Sequence, residues 1–180
     1  MNINDNLWRE IWSKEKYAPI SNAYQSRGFG TDKEPESSVC MASFANAMGD
    51  KFKEGMVLLD YGCGSGRFCN FMSKRLKDFS YYGVEKFGSG TQWGENAIDF
   101  ARSHFGKDPR VTFGSIGCEI EKEGIEKADI ALLLSVCTHT TIEETNMIFN
   151  KLSPIIEKGG IVTFSIFLSD KYSVSKNLAF

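Results

Sequence analysis

The chain has 180 residues, 42% of them hydrophobic and 24% charged, with a formal net charge of −2. That length sustains one domain with a substantial core, and the near-balanced charge gives no electrostatic case for nucleic acid. No uncharged apolar run approaches the ~18 residues of a membrane span, and Met1-Asn2-Ile3-Asn4-Asp5 lacks the basic and apolar regions of a secretory signal.

The cysteines, at positions 40, 63, 69, 118 and 137, form no CxxC pair, and the histidines are His104 and His139. Reduced thiols in a cytoplasmic protein without a structural metal are the expectation.

Leu7, Trp8, Ile11 and Trp12 fall on one stripe of an amphipathic helix. Residues 17–35, with Pro19, Gly28, Gly30 and Pro35, form a loop long enough to suggest either a functional segment or a solvated linker. Ser37 or Ser38 caps a second helix carrying Cys40, Phe44, Met48 and Phe52. One domain over 1–180 is expected: N-terminal helices with a candidate lid over 1–55, a core over 56–168 and a tail over 169–180.

The chain is organised around Val57-Leu58-Leu59-Asp60-Tyr61-Gly62-Cys63-Gly64-Ser65-Gly66-Arg67-Phe68. Val57 to Leu59 predict a strand buried on both faces. Gly62, Gly64 and Gly66 permit a sharp turn and leave room for a ligand against the main chain. Phe68, Phe71, Met72, Leu76 and Phe79 then keep a helical period. Strand, glycine turn and helix form a ligand site at the carboxyl end of a parallel strand. The spacing is G-x-G-x-G, with Arg67 where a dinucleotide fingerprint needs its third glycine. Asp60 at the strand end would repel a pyrophosphate and suits a ligand with an ammonium or sulfonium.

The stretch from Asp60 to Gly66 resembles the first motif of class I S-adenosylmethionine-dependent methyltransferases, whose loop wraps the methionine end of the cofactor. That resemblance implies a Rossmann-like three-layer αβα sandwich and a methyl transfer that leaves S-adenosylhomocysteine.

Ser80 to Glu85 predict the second strand. Its terminal acid comes 23 residues after Gly62 (85 − 62), close to the spacing of about 20 for a ribose-binding carboxylate. The resemblance gives Glu85 the same role, and extends the cofactor pocket to Lys86 and Phe87, the latter against the adenine. A helix from about Gly94 carries Ala97, Ile98, Ala101 and Phe105, and Asp108-Pro109 breaks it. Arg110 to Phe113 form the third strand. Beyond it the family's adenine-binding Asp is missing, so Ser115, Ile116 or backbone groups take its place. Ala128 to Ser135 form the fourth strand. Thr140 with Glu143, or Thr141 with Glu144, makes a capping box for a helix carrying Ile142, Met147, Ile148, Leu152 and Ile155. Glu157-Lys158-Gly159-Gly160 predict a turn, and Ile161 to Phe167 the fifth strand.

Ser135-Val136-Cys137-Thr138-His139 is similar to a branch of the family with Ser-Val-Phe-Thr-His at this place. The resemblance implies a cofactor set of Asp60, Tyr61, Gly62, Cys63, Gly64, Glu85, Lys86, Phe87, Ser115, Ile116 and Ser135. His139, beside the expected methyl position, is the candidate general base. The motifs of amino-group and cytosine-carbon DNA methyltransferases are missing here, so the expected acceptor is a small molecule. The sheet order expected from right-handed crossovers is 3-2-1-4-5. Only Ser169 to Phe180 follow the fifth strand, too few for the family's final helix and antiparallel strands. A homodimer through the fifth-strand edge is one way to cover it. Two alternatives stand beside the enzyme: a cofactor-binding protein without catalysis or in need of a partner, and an NAD(P)-dependent oxidoreductase.

Overall fold

Apolar runs that stop at an acid or a glycine become the central strands of the protein. The computed structural model describes residues 48–64, 66–85, 92–115, 124–134, 136–138 and 140–166, with a single 3₁₀ turn, Gly49–Lys51, ahead of the first strand. In chain order the elements are β1 (Met56–Tyr61), α1 (Arg67–Ser73), β2 (Phe79–Glu85), α2 (Gln92–Phe105), β3 (Val111–Ser115), β4 (Ala128–Leu133), α3 (Ile142–Leu152) and β5 (Ile156–Phe164). The expected loop and helix before Met48 lie outside the described residues.

The strands form one sheet in the order β3-β2-β1-β4-β5, as expected, and each pair runs parallel. Parallel neighbours need crossovers, and these place helices on both faces. Leu58, Tyr81, Phe113 and Ile130 pack with Phe68, Phe71 and Met72 of α1 and Ile98 and Ala101 of α2. Leu59, Tyr61, Val84 and Leu133 pack on the other face with Leu152 of α3 and Ile155. The result is the Rossmann-like αβα sandwich.

Two local readings change. Leu76 and Phe79 continue the apolar period of α1, yet the helix ends at Ser73 and Phe79 opens β2. Both side chains are buried in the same core as the helix, and a shared core imitates a longer helical stripe. Glu157 to Gly160 is not a turn ahead of β5 but an excursion inside it. Ala128 pairs with Ile156, while Ile130, two residues on, pairs with Ile161, five residues on. Gly159 takes φ +87°, a conformation open to glycine at little cost. At Gly160 an added Cβ would stand 2.9 Å from the carbonyl oxygen of Asp129. The glycine pair thus does its turn chemistry without ending the strand.

Asp129 also holds the start of β1, since Val57 N–H donates to its Oδ2 at 2.8 Å. The far edge of the sheet is β5, where Val162 and Phe164 are exposed, as is Ile166 just beyond it. Among the described residues no helix is long and apolar enough to cross a membrane.

Candidate active site

β1 and β2 lie side by side, with Asp60 opposite Gly83 and Tyr61 opposite Val84. Their carboxyl ends therefore bring the glycine turn and Glu85 together. Gly62, Gly64 and Gly66 have φ of +85°, +54° and +80°, so the turn follows from the glycine spacing. Gly62 and Cys63 N–H both donate to the carbonyl of Val84, at 2.7 and 3.1 Å. Gly64 N–H donates to Glu85 Oε2 at 2.8 Å. Glu85 is buried, and its carboxylate ties the turn to the end of β2.

The two sides of the turn differ. At Gly62 an added Cβ would stand 2.5 Å from Val136 Cγ2, so the chain after β4 presses directly on the loop. At Gly64 an added Cβ meets none of the described residues within 4 Å. The bare main chain at Gly64 thus faces open space beside the Glu85 carboxylate. Nearby in sequence to Val136, Thr138 Oγ1 is buried without a hydrogen-bond partner, the kind of group that a ligand or water satisfies.

Asp60 shares the Leu58 face of β1, under α1. Its Oδ2 accepts a hydrogen bond from Tyr81 Oη at 2.5 Å, and both side chains are buried. Burial pushes the Asp60 carboxyl from an ordinary 3.8 up to about 7. The Glu85 charge adds to the rise, while the Tyr81 bond and the Arg67 charge oppose it. A raised folded-state pKa means that the native state holds a proton the unfolded chain has lost. This contribution to stability is present at low pH and disappears as pH rises from about 4 through 7. The full swing is roughly 4 kcal/mol. Asp60→Asn, which keeps an acceptor for Tyr81, is expected to flatten that slope. Urea unfolding of both proteins at pH 4 to 8 checks it; parallel curves would mean Asp60 titrates normally.

Tyr61 points to the opposite face, and burial followed by the Glu85 charge pushes its hydroxyl up to about 12. Cys63 is buried; desolvation, with the charges of Asp60 and Glu85, drives its thiol well above its ordinary value. Burial likewise raises Cys69 and Cys137. These three thiols stay protonated, which removes the basis for a nucleophile at Cys63, Cys69 or Cys137.

Asp60, Tyr61, Gly62, Cys63, Gly64 and Glu85 therefore gather at the ends of two adjacent strands. Ser115 closes β3 in register with Glu85. Lys86, Phe87, Ile116, Ser135 and His139 lie outside the described residues. Sequence reasoning missed Tyr81, whose partner is set by strand register, and Val136; neither role has a local signal.

The family model described as a methyltransferase domain matches residues 37–178. The chain belongs to this family. Its class is that of the S-adenosylmethionine-dependent methyltransferases with a Rossmann-like core. The ubiquinone biosynthesis O-methyltransferase of Sinorhizobium medicae (strain WSM419) is 27% identical to this chain over 110 residues, 61% of this chain and 40% of that protein. The chain thus spans less than half the length of that relative. Among solved structures, magnesium protoporphyrin IX methyltransferase from Synechocystis PCC 6803, with bound SAM, is 16% identical, with a TM-score of 0.56 over 87% of this chain and 74% of that one. Coclaurine N-methyltransferase, with N-methylheliamine and SAH, is 17% identical, with a TM-score of 0.53 over 69% and 35%. At such identities the likeness is one of fold.

Proposed function

We propose that this methyltransferase domain binds S-adenosylmethionine across the carboxyl ends of β1 and β2 and methylates a small molecule, releasing S-adenosylhomocysteine. The observation that carries this is the buried Glu85 carboxylate, fixed by Gly64 N–H at 2.8 Å, beside the open side of Gly64. A carboxylate there accepts both hydroxyl hydrogens of a ribose. The bare glycine backbone admits the adjoining part of the cofactor, and Asp60 supplies negative charge beneath it. When bound, the cofactor supplies a methyl group activated by a positively charged sulfur. The chain's task is to hold the acceptor in line with that methyl, since positioning alone is worth roughly 7–11 kcal/mol. Lys86, Phe87, Ser115, Ile116 and Ser135 complete the proposed pocket, and His139 is the proposed base for an acceptor that must lose a proton.

A small acceptor is supported by the net charge of −2 and by Ser135-Val136-Cys137-Thr138, which lacks the motifs for methylating DNA bases. Two similar proteins carry the names of small-molecule acceptors or pathways, magnesium protoporphyrin IX and ubiquinone biosynthesis. Calorimetric titration with S-adenosylmethionine, S-adenosylhomocysteine and NAD tests the site. Binding of the first two and not of NAD is expected; the reverse would overturn the proposal. Cofactor binding with no turnover across a metabolite screen would favour a protein that needs a partner.

Val162 and Phe164, exposed on β5, support cover of this edge by the tail or, as we propose, by a second copy of the chain. Slow amide exchange over Ile161–Phe164 in a particle of twice the chain mass is the expected result. A monomer exchanging fast there would eliminate the pairing.

A further inference from the structure

Strand β2 ties the glycine turn at three levels: Tyr81 Oη to Asp60, the Val84 carbonyl to Gly62 and Cys63, and Glu85 to Gly64. The upper two shape the loop backbone. The lowest joins β2 to the end of β1, from which the loop springs. Tyr81 is fully buried, and a hydroxyl in an apolar layer is costly unless bonded. Asp60 faces Gly83 across the strands, so no side chain there stands between the carboxylate and the hydroxyl one pleat away. The ring of Tyr81 is held edge-on by Phe113, centroids 5.7 Å apart.

We propose that Tyr81 is a positioning residue for the cofactor loop: its hydroxyl fixes the Asp60 carboxylate as an anion beneath the loop, against the positive charge of the ligand bound above. The inference rests on the proposed S-adenosylmethionine site. Burial alone favours neutral Asp60; the Tyr81 donor bond and a cationic ligand favour the anion. Ligand binding to the neutral form therefore releases the Asp60 proton to solvent, while Tyr81 keeps its own. The charged and titratable groups facing Asp60 are Tyr81 and Glu85 of β2, Arg67 and Cys69 of α1, and Cys63 of the loop. Burial keeps Tyr81 and both thiols neutral, and among the described residues Glu85 is the other carboxylate facing Asp60. Asp60→Asn separates the two.

The test is calorimetric titration of the full chain with S-adenosylhomocysteine, which carries the ammonium, from pH 5.5 to 8.5. Wild-type affinity should rise about tenfold per pH unit below a midpoint and then level off. Tyr81→Phe should move that midpoint up by about one pH unit while reaching a similar plateau. Asp60→Asn should bind weakly with a flat profile. Fluorotyrosine incorporation, which strengthens the donor and leaves the packing in place, should move the midpoint down. It decides the matter if Tyr81→Phe fails to fold. An unmoved midpoint in the fluorotyrosine protein, a Tyr81→Phe profile that coincides with wild type or is weakened equally at every pH, or a wild-type profile in Asp60→Asn would each overturn the assignment. Wild-type protein that binds neither cofactor form at any pH would instead overturn the proposed function.

Discussion

Glu85→Ala is expected to weaken S-adenosylmethionine binding by about 10²–10⁴-fold. Two bonds from ribose hydroxyls to a carboxylate are lost, each worth roughly 1.5–3 kcal/mol. The Gly64 N–H also loses its acceptor, although it is partly exposed and water replaces the bond. Stability should therefore change by only about 1 kcal/mol. Glu85→Gln isolates the contributions, since its amide oxygen still accepts from Gly64 while one ribose hydroxyl loses an acceptor. It should fall between wild type and alanine in calorimetry. Unchanged affinity in Glu85→Ala would reduce Glu85 to a loop tie.

Gly64→Val should fold and fail to bind. An added Cβ at Gly64 meets none of the described residues within 4 Å, and its positive φ of +54° costs a side chain about 1–2 kcal/mol. The new methyl groups instead occupy the space proposed for the cofactor. Gly62→Ala should behave in the opposite way. Its Cβ would lie 2.5 Å from Val136 Cγ2 at φ +85°, so strain and overpacking together cost roughly 2–5 kcal/mol. Thermal unfolding and cofactor titration of both variants distinguish the two effects. Wild-type affinity in Gly64→Val would place the ligand elsewhere.

These expectations were legible to different degrees. The central strands could be read because burial on both faces leaves continuous apolar runs, and parallel connection rules then ordered them. Glu85 could be read because the length of one strand–helix–strand unit fixes where a second acid returns to the first loop. The sequence allows the capping box two registers, and the structure has the second: Glu144 N–H donates to Thr141 Oγ1, and Glu144 Oε2 accepts from Thr141 N–H. The buried face of α3 was only half legible: Leu152 is buried while Ile142 is 77% exposed, because the face that packs depends on where β4 and β5 place the helix. Tyr81 was hidden for a similar reason. Its partner is set by strand register, and one tyrosine among core aromatics gives no local sign of a carboxylate across the sheet.

Phe113 places a constraint on how this domain diverges. Its ring lies 2.7 Å from where a Gly83 Cβ would stand and 3.3 Å from where a Gly66 Cβ would stand. One aromatic side chain from β3 therefore fills the volume that Gly83 leaves vacant in β2 and, together with Phe105 of α2, the volume that Gly66 leaves vacant in the turn. A lineage drifting at position 83 must first shorten position 113, and doing so unsupports Tyr81 and the turn at once. A homologue with a larger residue at one of these three positions is therefore expected to carry compensating changes at the others.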